Sequence, residues 1–518
     1  MAGSQSEVFA FLNDPKNWPD EPQHVEIIDT HCARVFLAGS TVLKIKRAVT
    51  LPYLDFSTLA LRKRYCKHEL EINQAGAGGL YRDVVPITRE KNGALAIDGR
   101  GPPVEWAVRM NRFAQDDLLK SAAMRGALTA PMMDELADAI ARYHAAAAVA
   151  DASAERIQDV ATGVLSGIAR AAGKDFQNSL SRLEAGFAAA LAATNALRTE
   201  RANTGHVRRC HGDLHLANIV LWHGHPVLFD ALEFDEALAT IDTMYDLSFL
   251  LMDLERHHAR SHGSAILNRY LWRTRDLSDV RALALLPLFM ALRAAVRALV
   301  ALDRITATGG EDAKLRAAAR ETLDFALDLL HPPAPRLIVI AGLSGTGKTT
   351  LAKAIAPFIG PAPGALHLRS DMERKALADA EPTERLAPSF YTKDTARAVY
   401  DRILQRAEAG LRAGHAVVID AVMANPAERD EAEHVARRTG AAFFGLWLDG
   451  DKDTLEARVA RRTGDASDAT PDVVARQFAY DLGSIHWPRL DATGAPTQTL
   501  KDARAALGIT AGDPEKKT

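Results

Sequence analysis

Residues 336–351, RLIVIAGLSGTGKTTL, decide the reading of this chain. Leu337 to Ala341 is a short apolar, β-branched run, the pattern of a buried parallel strand, and Gly342-Leu343-Ser344-Gly345-Thr346-Gly347-Lys348-Thr349 follows it without a break. A strand running into such a loop is a phosphate-binding P-loop. Its glycines let backbone N–H groups turn inward around phosphate oxygens. Lys348 reaches the β and γ oxygens, and the Thr349 hydroxyl can ligate Mg²⁺. A helix from Thr350 to Phe358 adds its positive N-terminal dipole to the same anion site. The set Gly342, Ser344, Gly345, Thr346, Gly347, Lys348, Thr349 and Thr350 is therefore the predicted nucleotide cradle.

Outward from this stretch, strands at Leu337–Ala341, Ala365–Leu368, Ala416–Asp420 and Phe443–Leu448 alternate with helices, which predicts an α/β fold with a parallel sheet over residues 336–512. His331-Pro-Pro-Ala-Pro335 forbids helix and reads as a stiff linker. Before it, residues 1 to about 110 read as a small, mostly antiparallel α+β lobe: a hairpin over Ala33–Leu37 and Thr41–Ile45, a helix from Leu61 to Asn73, and strands at Val84–Ile87, Ala94–Asp98 and Val104–Met110. Residues 111–330 are mainly Ala-rich helices, and 513–518 is a polar tail. A chain of 518 residues exceeds one core at about 150 residues per domain.

The balance of 47% hydrophobic and 25% charged residues with net charge -3 argues against a nucleic-acid surface. Cys32, Cys66 and Cys210 form no CxxC, so neither a disulfide framework nor a zinc site is expected, and a reducing cytoplasm fits. The N-terminus has no signal-peptide pattern, and the longest apolar run, Ala282 to Leu292, is too short to cross a bilayer, so no membrane partner is expected. Oligomeric state is not readable.

A second constellation lies at His211-Gly-Asp-Leu-His-Leu-Ala-Asn218, followed by Leu228-Phe-Asp230. Phosphoryl transfer needs a carboxylate to orient the attacking hydroxyl, with an amide oxygen and a second carboxylate to hold Mg²⁺. These residues resemble the catalytic and metal loops of the aminoglycoside phosphotransferase family, a branch of the protein-kinase-like fold. The resemblance implies Asp213 as base, Asn218 and Asp230 as metal ligands, and His211 orienting the loop. It also implies a phosphate-binding lysine on a strand and a helical glutamate. Lys44 and Lys46 share one strand face, Glu69 and Glu71 lie on the helix, and position in the family favours Lys44 with Glu69. Gly39 is the only glycine in the hairpin, so the lid is not the kinase glycine-rich pattern. Glu233 and the acids that follow it, through Asp246, either bind an acceptor or cap helices.

Beyond the P-loop, Asp371 ends the second strand, where it can orient an acceptor hydroxyl, with Arg374 one turn on to hold an acceptor anion. Asp420 ends the third strand, either as a Walker-B-like Mg²⁺ ligand or as a helix cap. Arg458, Arg461 and Arg462 lie on a helix that is either a lid over the γ-phosphate or a solvated amphipathic helix. Residues 336 to about 505 are similar to gluconate-kinase-like and zeta-toxin-like P-loop kinases. The whole order resembles bacterial two-domain proteins with an aminoglycoside-phosphotransferase-like half followed by a P-loop half. That implies a transferase using ATP or GTP with Mg²⁺, bifunctional in that each half would phosphorylate a small sugar-like hydroxyl compound. The rival readings are one catalytic half regulated by the other, and a P-loop polynucleotide 5′-kinase.

Overall fold

The computed structural model describes residues 3–509 apart from 31, 52, 53, 75, 151–154, 173–175, 309–311 and 463. The expected polar tail at 513–518 lies outside the described residues. Packing divides the chain into two compact units, Met1–Ala152 with Ala202–Asp253, and Ser153–Arg201 with Leu254–Thr518.

The first unit is built on a six-stranded antiparallel sheet in the order Val25–Asp29, Ala33–Ala38, Thr41–Lys46, Pro103–Asn111, Tyr81–Arg89, Leu95–Ile97. Side chains alternate across it. Phe36, Leu43, Ile45, Val85 and Ile87 pack on one face with Trp18 and with Val8 and Leu12, the last two brought there by an N-terminal helix, Gly3–Asn13, that the sequence reading omitted. Val42, Val108 and Met110 lie on the opposite face with Cys66 of the Leu59–Gln74 helix. Lys44 and Lys46 have the parity of Val42 and so point toward that helix.

The buried stripe of the Leu59–Gln74 helix is Arg62, Cys66, Glu69 and Asn73, at helical spacing but almost wholly polar. Each polar member has a partner. The Arg62 guanidinium donates to Glu105 at 2.8 Å, and Asn73 Oδ1 accepts the Ala231 N–H at 2.9 Å. Unpartnered burial of such groups would cost several kcal/mol, on the order of 1–3 each.

The second unit contains a five-stranded parallel sheet in the order Leu366–Arg369, Val417–Asp420, Arg336–Gly342, Ala442–Asp449, Arg489–Asp491. The four expected strands form; the fifth, only three residues long with no apolar run, was not foreseen. The strand leading to the P-loop is central and is buried from Leu337 onward, with Ile338 and Ile340 in a core shared with Leu351, Ile355 and Val418. The helix after the loop is Lys348–Ile355 and runs directly into a proline-containing 3₁₀ turn, Ala356–Phe358.

His331–Pro335 carries neither helix nor strand, as three prolines require. Helices before it nevertheless pack with the sheet after it. Asn268 lies beside the edge strand, accepting the His367 N–H at 2.7 Å and donating to the Ala365 carbonyl at 3.2 Å, while the Trp272 indole donates to the Met372 carbonyl at 2.9 Å. One helical span, Leu277–Thr306, is by length and composition apolar enough to cross a membrane, longer than the eleven-residue run seen in sequence because helix continues through its arginines; 67% of its apolar window is buried inside the protein.

Gly342 has φ +143°, and a Cβ there would sit 2.5 Å from the Leu448 carbonyl oxygen. Both the backbone and the neighbouring strand exclude a side chain. Gly342→Ala is expected to destabilise the second unit by about 1–3 kcal/mol, read as faster hydrogen exchange of the Arg336–Gly342 amides.

Candidate active sites

In the first unit the Glu69 carboxylate, 0% exposed, is shared by two lysines: Lys44 Nζ donates to Oε1 at 2.8 Å and Lys46 Nζ to Oε2 at 2.7 Å. Lys44 also pairs with Asp230, and Lys46 with Glu233. Burial by itself would raise the Glu69 carboxyl; the two ammonium groups overcome it and push it down to about 2. Burial would likewise lower Lys44, but Asp230 and Glu69 hold it well above its ordinary value. Glu69 and the two lysines are therefore charged near neutrality.

The catalytic-loop candidates lie together in the first unit. His211 is buried, and burial lowers its pKa, keeping the ring neutral near pH 7 despite Asp246 and Asp213 nearby. Its Nε2 bonds the Phe229 carbonyl at 3.0 Å and its Nδ1 faces the Asp213 N–H at 3.4 Å, so the ring ties the loop at 211–218 to the loop carrying Asp230. Asn218 Nδ2 donates to the Asp213 carboxylate at 2.9 Å and to its carbonyl at 3.0 Å. Asp230 itself has φ +60°, a left-handed conformation uncommon outside glycine and typical of functional loops.

Asp246 is explained by neither reading of the acidic segment. It is 0% exposed and accepts the His211 N–H at 3.1 Å and the Gly212 N–H at 2.9 Å, with His144 Nε2 3.1 Å away. It is a buried post holding the loop backbone. Asp242 and Asp235 do cap helices, accepting the Met244 and the Ala237 and Leu238 N–H groups. The expectation that Glu233 binds an acceptor is corrected: its carboxylate is 6% exposed and taken by Lys46, because an ammonium that far from water requires a counter-charge. Lys46, set aside in the choice of Lys44, is thus as much part of the cluster.

In the second unit Gly345 and Gly347 have φ +88° and +86°, and a Cβ on Gly345 would meet the Leu455 carbonyl at 2.8 Å. Lys348 folds back onto the loop, donating to the Leu343 carbonyl at 2.9 Å; burial lowers its pKa, opposed by Asp420 and Asp371. Thr349 Oγ1 hydrogen-bonds the Asp420 carboxylate, so the two expected metal ligands converge. Burial would raise the Asp420 carboxyl, but His367 and Arg369 push it down to about 2. Burial likewise raises the pKa of the Asp371 carboxyl, Arg369 opposing and Asp420 assisting. A cavity of about 460 Å³ is lined by Gly345, Thr346, Gly347, Thr350, Arg462 and Asp465, among others.

Two of the arginines are engaged within the protein. Arg458 lines this cavity with its guanidinium donating to the carbonyls of Ala492, Thr493 and Gly494, at 2.9 and 3.0 Å for the last two, which braces the cavity wall. Arg374 is tied to the Phe390 carbonyl at 3.0 Å and lies 5.1 Å over the Tyr391 ring, one side of it therefore already engaged. Sequence reading also missed His367 and Arg369, which flank Asp420 at 3.7 Å each and leave His367 Nε2 and Arg369 Nε without hydrogen bonds. Their alternation along the Leu366–Arg369 strand, with one face turned to the Asp420 strand, was the available signal. The residues fit a nucleotide polyphosphate and its divalent metal: left-handed glycines that a Cβ would obstruct, a lysine on the loop, and a hydroxyl–carboxylate pair of hard oxygen donors.

A family model described as an AAA domain matches residues 337–480. An uncharacterized protein of Mycobacterium bovis is 29% identical over 509 residues, covering 93% of this chain and 95% of its own length, and one of Mycobacterium tuberculosis matches to the same extent. Among solved structures, a gluconokinase from Sinorhizobium meliloti covers 34% of this chain and 92% of its own at 21% identity and a TM-score of 0.26. A choline/ethanolamine kinase family protein from Mesorhizobium loti covers 63% of this chain and 95% of its own at 14% identity and a TM-score of 0.39.

The Glu69 carboxyl is depressed on folding, so its stabilisation is present in full above its ordinary pKa of 4.5 and is lost as pH falls toward 2. Unfolding followed by hydrogen exchange in the Thr41–Lys46 strand should steepen below pH 4.5 in the parent and stay flatter in Glu69→Gln. At pH 7 that variant, with two buried ammoniums left short of a partner, should be less stable by about 3–5 kcal/mol.

The stretch that the AAA domain model matches, residues 337–480, carries the central strands of the parallel sheet and the phosphate-binding loop.

Proposed function

We propose that this chain is an ATP-dependent phosphotransferase with two kinase-type sites, each passing a γ-phosphoryl group to a hydroxyl of a small, sugar-like metabolite. The observation that carries the reading is the meeting of Lys44, Glu69 and Asp230, groups from a strand, a helix and a loop 186 residues further on, beside Asp213 and Asn218. A structural salt bridge would need no catalytic loop next to it. Kinase-like folds in both halves support the phosphotransferase reading.

At the first site Asp213 orients the acceptor hydroxyl and takes its proton, His211 and Asp246 hold the loop, and Lys44 steadies phosphate oxygens once its bond to Asp230 is exchanged. At the second, Asp371 does the work of Asp213, Lys348 and the loop N–H groups hold phosphate, and Arg462 lies on the cavity wall. Mg²⁺ held by Asn218 and Asp230, or by Thr349 and Asp420, would neutralise charge on the phosphates. Three free cysteines support a cytoplasmic setting.

A regulatory reading, in which one half only binds nucleotide, is favoured by the hairpin turn at Gly39, which offers one glycine where phosphates would need close backbone approach. One assay separates the two. Sugars, sugar acids and aminoglycosides are incubated with ATP and the parent, Asp213→Ala or Lys348→Ala, and phosphorylated products are counted. Each variant is expected to lose a different transfer by about 10²–10⁴-fold. Loss with Lys348→Ala alone would make the first half a regulatory module.

A further inference from the structure

One backbone N–H of the P-loop is already taken. The Ser344 N–H donates to Gln477 Oε1 at 2.8 Å, across 133 residues of chain. Gln477 is 7% exposed and ends the Pro471–Gln477 helix. That helix packs against the Lys452–Ala460 helix, whose Leu455 carbonyl closes on Gly345 of the same loop. A glutamine side chain thus reaches into the anion cradle from the segment that carries Arg461 and Arg462 at its base.

Loop N–H groups exist to meet phosphate oxygens, and a carbonyl oxygen on one of them is a phosphate surrogate. Ser344 lies three residues ahead of Gly347, the residue that caps the following helix. The N–H groups at the helix start, with Lys348, serve the inner phosphates. Ser344, on the outer limb of the loop, is left for the terminal one.

We propose that Gln477 occupies the place of the nucleotide's terminal phosphate and must be displaced by it, so that a triphosphate, and not a diphosphate, releases the Pro471–Gln477 helix from the loop. The inference rests on the P-loop reading above and adds a residue that discriminates ATP from ADP. It also joins recognition of the γ-phosphate to the arginine-bearing segment, since the plug's helix packs on the Lys452–Ala460 helix, whose C-cap is Arg461 and which Arg462 follows. Nothing at Gln477 need touch the acceptor.

The test is equilibrium binding, on the full chain, of ADP and of a non-hydrolysable ATP analogue, each with Mg²⁺. Gln477→Glu keeps an acceptor for the Ser344 N–H and adds a negative charge where the terminal phosphate must come. It should weaken the analogue by about ten- to a hundredfold and leave ADP within about threefold. Gln477→Met removes the competitor at nearly constant volume and should tighten the analogue severalfold with ADP unchanged. Equal shifts for both nucleotides in both variants, or no shift in either, would overturn the role of Gln477 and leave the P-loop reading standing. Failure of the parent to bind either nucleotide would overturn the P-loop reading itself, and this inference with it.

Discussion

A carboxylate removed from water must be held by cations, and Glu69 is held by two. Its two oxygens divide Lys44 from Lys46, and through them Asp230 and Glu233 are drawn to the same place. The candidate site of the first unit depends on this arrangement. A strand, a helix and the metal-loop candidate meet there, and each charge is tolerable only because the others are present. The polar stripe of the Leu59–Gln74 helix is the cost of bringing them together. Arg62 and Asn73 repeat the logic on either side of Glu69, one satisfying Glu105 and the other the Ala231 N–H.

The second unit solves a related problem with backbone rather than side chains. Phosphate needs converging N–H groups, and a loop that turns them inward must pass through left-handed conformations at Gly342, Gly345 and Gly347. The central strand fixes where that turn begins. Asp420 arrives from the neighbouring parallel strand, in register with Ile340, and its carboxylate accepts the Thr349 hydroxyl. Asp371 follows the edge strand on the other side of Asp420. Three strand ends thereby present a loop, a metal-ligand candidate and a base candidate along one rim, the place where open parallel sheets bind ligands.

Both sites show why site residues differ in how readable they are. The P-loop, the 211–218 loop and Asp230 are local patterns, and the structure brings their members within hydrogen-bonding distance. Lys44 with Glu69 was legible by position in a resembling family. Lys46, Asp246, Gln477, His367 and Arg369 were not, because each acts through a partner distant in sequence and none sits in a recognisable local motif. Glu233 misled for the same reason: an acid after the metal loop reads as an exposed ligand until its burial against Lys46 is seen. Helical spacing placed Arg458 on a face without saying what that face meets, here three carbonyls at Ala492–Gly494.

The amino-acid sequence by itself determined the strand–loop–helix of the P-loop, the alternating elements around it, the antiparallel sheet with Lys44 and Lys46 on one face, and the catalytic-loop pattern from His211 to Asp230. These follow from short-range rules: side-chain period, glycine conformations, and the chemistry a local cluster can support. Tertiary structure alone decided which acids bind lysine and which cap helices, that Asp246 braces the loop at His211 and Gly212, that the helices before His331 pack with the sheet after it, and that Gln477 enters the phosphate cradle. The reason is physical. Burial and counter-charge are set by neighbours from anywhere in the chain, and a polar side chain reveals its role only when the group that satisfies it is in place.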